Sequence, residues 1–340
     1  MKKSLFFIAG CLLIIISSCT RFGRKLDYTF VVAGDVRVKP QDTVGDPSTA
    51  NVYELKRLFT EVSKLKPMPK YLFFNGDLVV GHTSDTVRLA RELENWVKIY
   101  KESPLAKTSL KLVALPGNHE VCEKLGGAGI SLAANERVFV RIMKDYIRGD
   151  NGPHATGLIP GTDSLMSDQS HLTYSFDYGG DHFVIINTDP VDRESRPPYH
   201  WLEKDLASAH KDGARHIFIF EHKPAYPCAS DSEEALGKYK SNRDSLWRCL
   251  EKYNCDAMFC SHDHLWDTVE PDRGKTWEII VGNAGAPMHK QWLPSYNGFT
   301  VVNVYSKVGI TNIGHYCNKK TYTEPCPQNI SSVKAKFTIK

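Results

Sequence analysis

Apolar runs that each stop at a short polar fragment set the strongest limit on how this chain folds. Tyr28 to Ala33 ends at Gly34-Asp35-Val36-Arg37, Tyr71 to Phe74 at Asn75-Gly76-Asp77, and Leu110 to Leu115 at Pro116-Gly117-Asn118-His119-Glu120. Farther on, His216 to Phe220 leads to His222-Lys223-Pro224, and Ala257 to Cys260 to Ser261-His262-Asp263-His264. Between the first three runs lie segments with helical spacing. Residues 48–66, capped by Ser48, carry Val52, Leu55, Leu58, Phe59 and Val62, and residues 84–100 carry Leu89, Leu93, Trp96, Val97 and Tyr100. Strand, helix, strand, helix, strand is the pattern of a parallel α/β sheet. Ligands of such sheets gather outside the carboxyl ends of the strands, which is where all five fragments fall. Asp, Asn and His are also the side chains that ligate divalent metals. Together they predict one metal site assembled from several loops.

The rest of the chain fits one domain with two sheets inside and helices outside. Residues 121–170 are irregular, with one helix near 136–147. Leu172 to Tyr178 and His182 to Asn187 flank Gly179-Gly180-Asp181 as a β-hairpin. Helices near residues 200–211 and 241–253 each lead into a strand, and Trp277 to Val281, Phe299 to Tyr305 and Val308 to Ile313 return to β. With 340 residues, 41% apolar and 24% charged, the chain can bury a sizeable core. A net charge of +4 without a basic block gives no expectation of a nucleic-acid partner.

Lys2-Lys3 and the apolar run Leu5 to Ile16 have the form of an export signal, too short for a comfortable membrane span. Ile16-Ser17-Ser18-Cys19 resembles a bacterial lipobox, in which the Cys becomes the lipidated first residue. The expected organisation is a signal peptide over 1–19, a tether over 20–27, a domain over 28–316 and a C-terminal tail over 317–340. That places the protein at a bacterial cell envelope, tethered to a membrane through Cys19. Seven cysteines remain after Cys19, an odd number, so at least one thiol is unpaired. Cys317 and Cys326 bracket part of the tail and could clip it, whereas Cys260 belongs to an apolar run and is expected in the core.

The order and spacing of the five fragments resemble the calcineurin-like metallophosphoesterase superfamily, including its purple acid phosphatase branch. Gly117-Asn118-His119-Glu120 and His262-Asp263-His264 carry most of that resemblance, which covers residues 28 to 315. It implies an α/β fold, a four-layer α/β/β/α sandwich with two central mixed β-sheets. It also implies two divalent metal ions (Mn, Zn, Fe or Co), with Asp77 bridging both, Asp35 and His264 on the first, and Asn118, His222 and His262 on the second. His119 would be the proton donor or charge stabiliser at the leaving group. Two cations lower the pKa of a shared water and neutralise phosphate oxygens, so hydroxide can approach an anion. The expected reaction is hydrolysis of a small-molecule phosphate monoester by metal-bound hydroxide. A phosphodiesterase on the same core is the nearest alternative, and an envelope protein binding a ligand at a degraded site is the next.

The sequence departs from the superfamily's pattern at three positions. Arg37 stands where many members carry a metal-binding His, and arginine cannot ligate a metal. Val80 stands where purple acid phosphatases carry a Tyr, so no ferric purple centre is expected. Ser261 replaces the usual Gly before the two histidines. The first metal is left with Asp35, Asp77 and His264, and three outcomes are open. Water completes the coordination while Arg37 helps to hold phosphate, which is the preferred expectation; or His82 swings in; or Arg37 acts as a fixed cation beside one metal. A salt bridge from Arg37 to Asp35 or Asp77 is weighed beside these. Glu120 is expected either to orient His119 or to be an exposed loop acid, and His171 and His289 to be ordinary loop histidines.

Overall fold

The computed structural model describes residues 25–39, 46–125, 128–229, 234–271, 274–288, 296–316 and 331–339. The signal segment with Cys19, most of the tether, His289, Cys317 and Cys326 lie outside the described residues. No helix among the described residues is long and apolar enough to cross a membrane.

Among the described residues three parallel neighbours come first: β1 (Tyr28–Ala33), β2 (Tyr71–Asn75) and β3 (Lys111–Leu115). A small hairpin follows, β4 (Cys122–Leu125) with β5 (Ala128–Ser131), then the hairpin β6 (Tyr174–Tyr178) and β7 (Asp181–Ile185). Next come β8 (Ile217–Phe220), β9 (Ala257–Cys260), β10 (Trp266–Val269) and β11 (Trp277–Val281). The last three are β12 (Asn297–Val304), β13 (Val308–His315) and β14 (Ser332–Ile339). They form two six-stranded sheets, in the orders β14-β13-β12-β1-β2-β3 and β10-β11-β9-β8-β7-β6. Both are mixed, because β12 runs antiparallel beside β1, and β6 and β10 run antiparallel at opposite edges of the second.

The layering follows from the two-residue period of a strand. On β1, β2 and β3, Val31, Ala33, Leu72, Phe74, Leu112 and Ala114 point to one face. They meet α1 (Val52–Val62), α2 (Thr86–Glu102) and α4 (Ala133–Met143) there; the short α3 is Asn118–Val121. The alternate residues Phe30, Val32, Phe73, Val113 and Leu115 point the other way, onto Phe183, Ile185, Phe218, Phe220 and Phe259 of the second sheet. Phe73 and Phe220 stack across that middle layer with ring centroids 3.8 Å apart. The second sheet's outer face, with Val184, Ile217, Ile219 and Met258, is covered by α5 (Tyr199–Lys211) and α6 (Lys240–Lys252). The result is the four-layer sandwich expected.

Several local expectations need correction. The first helix begins after Asn51, whose side chain accepts from the Glu54 N–H, while Ser48 caps the backbone N–H of Ala50 just upstream. Residues 332–339 are no tail: they pair along β13 as the edge of the first sheet. Gly179 and Gly180 both take positive φ, which a tight hairpin of matching twist requires. Cys260 is buried as expected, and Cys122, Cys228, Cys249 and Cys260 are free thiols.

Candidate metal centre

Five strand ends deliver the polar fragments to one rim: Asp35 after β1, Asp77 after β2, Asn118 and His119 after β3, His222 after β8, and His262 and His264 after β9. Close backbone approach makes this possible. The Asp35 N–H donates to the Gly76 carbonyl at 3.1 Å and the Val36 N–H to the Asp77 carbonyl at 3.0 Å. Gly117 has to be glycine, since a Cβ there would lie 2.4 Å from Asp77 Oδ1. Asp35, Asp77 and His262 themselves take left-handed φ values of 58°, 52° and 66°. Each costs of order 1–3 kcal/mol, and such strain concentrates at functional sites.

On the histidine side, four ligating atoms converge. His222 Nε2 lies 2.9 Å from Asn118 Oδ1, 3.2 Å from Asp77 Oδ1 and 3.2 Å from His262 Nδ1. His262 Nδ1 is also 3.2 Å from Asn118 Oδ1. Ligands about 2.05 Å from a tetrahedral cation sit about 3.3 Å from one another, so these spacings match a donor set around one divalent ion. Tautomers agree as well. His222 Nδ1–H donates to the Asn75 carbonyl at 2.9 Å, which leaves Nε2 its lone pair. Asp35 adds a second sign: both its oxygens are buried without a hydrogen bond. Asp35, Asp77 and His222 each offer a ligand atom within 4.8 Å of the others. The residues on this side fit a divalent metal.

Electrostatics distinguish the two carboxylates. Burial, with Asp77's charge beside it, pushes the Asp35 carboxyl well above its usual range. Burial opposes ionisation of Asp77 too, but His119, His222, Arg37 and His262 offset it and hold Asp77 well below that range. Of these, Arg37 is the permanent cation. Its Nε donates to Asp77 Oδ2 at 3.1 Å, and its Nη2 lies 3.4 Å from His264 Nε2. Of the two salt bridges weighed for Arg37, the one to Asp77 is present.

His119 Nδ1–H donates to the Val80 carbonyl at 2.5 Å, and Nε2 lies 3.7 Å from Asp77 Oδ2. Burial pushes its pKa well below the usual imidazole value. Thus the Val80 backbone orients this ring. His82 is not on the Arg37 side. Its ring packs on His119 with centroids 3.7 Å apart, and its Nε2 accepts from Asn118 Nδ2 at 3.2 Å. Burial pushes it down to about 4, so it accepts as a neutral imidazole and turns Asn118 Oδ1 toward His222.

Glu120 is neither exposed nor an orienter of His119. It is fully buried; Oε2 accepts from the N–H groups of Gly117 at 2.7 Å and Asp77 at 2.9 Å, and Oε1 from Val79 at 3.1 Å. One carboxylate thus ties the loop after β2 to the loop after β3. Glu120→Gln would set an amide NH₂ against one of these N–H donors. It should lower unfolding free energy by about 1–3 kcal/mol, read from the urea midpoint at constant slope. An unchanged midpoint would contradict the clamp.

Ser261 is accommodated by hydrogen-bonding the Val281 carbonyl at 3.2 Å and filling the space beside Gly34. His171 is an exposed loop residue, as expected. Asp189 went unread. It holds Lys223 Nζ at 2.5 Å behind the site, joined by Ser195 Oγ at 2.9 Å. Its signal was available, since Asn187-Thr188-Asp189 also follows an apolar strand.

A family model for calcineurin-like phosphoesterases matches residues 28–265. The chain belongs to the calcineurin-like phosphoesterase family. Purple acid phosphatase 21 of Arabidopsis thaliana is 28% identical over 39% of this chain and 30% of its own length. The chain therefore spans about a third of that curated relative. A purple acid phosphatase from yellow lupin seeds superposes with a TM-score of 0.59 at 16% identity, covering 92% of this chain and 53% of that one. A dimetal phosphatase from Danio rerio gives 0.53 at 14% identity over 93% and 99% of the two chains. At such identities the structures support the fold, and the family's sandwich is the one described above.

Proposed function

We propose that this family member is a metal-dependent hydrolase of phosphate monoesters, with its cation held by Asp77, Asn118, His222 and His262. The observation that carries the reading is the convergence of His222 Nε2, Asn118 Oδ1, Asp77 Oδ1 and His262 Nδ1 at 2.9–3.2 Å. A divalent ion there supplies a water acidic enough to ionise near neutral pH and takes up phosphate charge. The remaining chemistry belongs to the chain. His119, with its Nδ1–H locked on the Val80 carbonyl, presents the Nε2 lone pair, which takes up a proton from solvent and passes it to the leaving group. Arg37, partly open to solvent beside Asp77, offers further N–H donors to phosphate.

No protein nucleophile is part of this mechanism. Cys122 and Cys260 are buried, and burial pushes both thiols up, away from the reactive thiolate. The two ester classes share this core and differ at the pocket's outer wall. Rates on an aryl phosphate monoester and the matching diester decide between them, and kcat/KM is expected to favour the monoester at least tenfold. A preference for the diester would replace this reading with a phosphodiesterase. Acid quenching during turnover of a labelled monoester should leave no phosphoryl group on the protein.

Export and a lipid anchor at Cys19, giving a place at a bacterial cell envelope, remain our proposal. They are supported by the run Leu5 to Ile16 and by Ser17-Ser18-Cys19. A small-molecule phosphate ester is the proposed substrate, in keeping with a net charge of only +4.

A further inference from the structure

On the metal-dependent reading above, we infer that the Arg37 guanidinium takes the place of a second metal, so the working site holds one divalent cation beside one fixed organic cation. The resemblance assigns Asp35, Asp77 and His264 to the metal on the Arg37 side, called the first in the sequence analysis. Two of the three spend the lone pair a metal would need on Arg37. His264 Nδ1–H donates to the Pro287 carbonyl at 2.7 Å, so the ring's lone pair is on Nε2, and Nε2 faces Arg37 Nη2 at 3.4 Å. Asp77 Oδ2 accepts from Arg37 Nε at 3.1 Å, while Oδ1 is turned to His222.

The guanidinium is held in that position. The Arg37 N–H donates to the Asp77 carbonyl at 3.2 Å, and the residue pairs with Ala50 across an antiparallel bridge. A permanently protonated group cannot ligate, and it repels a dication seated between the same two partners. The third ligand, Asp35, is shared with the histidine side. The buried, unbonded oxygens of Asp35 belong to a group with Asp77 and His222 whose ligand atoms all lie within 4.8 Å. Asp35 therefore lies close to Asp77 and His222 as well as to the Arg37 side. The guanidinium keeps the charge a second ion would bring, and its planar fork has donors beyond the two used here for a phosphate oxygen. The residues on the Arg37 side do not fit a metal.

The test is a count of metal. Protein stripped with chelator is dialysed to equilibrium against Mn(II), and bound metal per chain is measured by mass spectrometry. The wild type is expected to hold one equivalent, and Arg37→His, which supplies an imidazole in place of the guanidinium, two. Two equivalents on the wild type would overturn the inference while leaving the metal-dependent reading intact. One equivalent on a folded Arg37→His would overturn it as well. No bound metal on the wild type would remove the metal-dependent reading itself, and the inference with it. The wild-type count decides even if the variant does not fold.

Discussion

Asp77→Asn is expected to lower kcat/KM on a phosphate monoester by about 10³-fold or more, some 4 kcal/mol of transition-state stabilisation. The substitution keeps the shape of the side chain and removes its charge. Asp77 occupies the centre of the site: Oδ1 faces His222 Nε2 at 3.2 Å and accepts from the His119 N–H at 3.3 Å, while Oδ2 pairs with Arg37 at 3.1 Å. It is also the carboxylate that its neighbours hold ionised, whereas burial and Asp77 itself push Asp35 toward the neutral acid. An amide at residue 77 leaves Asn118, His222 and His262 to bind a dication without an adjacent ionised carboxylate. The metal count should fall along with the rate, and circular dichroism should show the fold retained. Activity within tenfold of wild type would mean that the cation is held elsewhere.

His119→Asn is expected to cost about 10²–10⁴-fold in kcat, the usual range for removing a positioned proton-transfer group. Metal binding should be little changed, because His119 lies beside the converging donors without being one of them. The loss should depend on the leaving group. A nitrophenolate departs without help, so its ester should lose least, while an alkyl phosphate should lose most. An equal loss on both would assign His119 to charge stabilisation instead of proton transfer. Some stability should go as well, about 1 kcal/mol, because the buried Val80 carbonyl loses its donor.

Strands and their ends were the legible part of this protein. Tyr28 to Ala33 and Ala257 to Cys260 are legible to the residue, and β2, β3 and β8 to within one, because buried parallel strands are continuous apolar runs bounded by turn residues. The edges were harder. Trp266–Val269 is half-buried and is separated from His264 by one residue, so it merges with the loop. Ser332–Ile339 does show alternation, at Val333, Ala335, Phe337 and Ile339, yet its lysines and its place near the chain's end give it the look of a tail. In the site, residue types and their order bring the five fragments to one rim, where the strand ends lie. The orientation of each group depended on contacts that sequence does not carry: the left-handed φ at Asp35, Asp77 and His262, and a carboxylate at Glu120 that bonds three backbone N–H groups. Arg37 shows the limit most plainly. Its identity rules out ligation, but only the approach to Asp77 and His264 reveals what it does instead.

The central claim, a hydrolytic site built on a cation at Asp77, Asn118, His222 and His262, is tested most directly by adding metal back. Protein stripped with chelator would receive Mn, Zn, Fe or Co one at a time while hydrolysis of an aryl phosphate monoester is followed. Activity should be absent without metal, return saturably with at least one of the four, and fail to return in Asp77→Asn. Full activity in the stripped protein, or equal recovery in Asp77→Asn, would contradict the account.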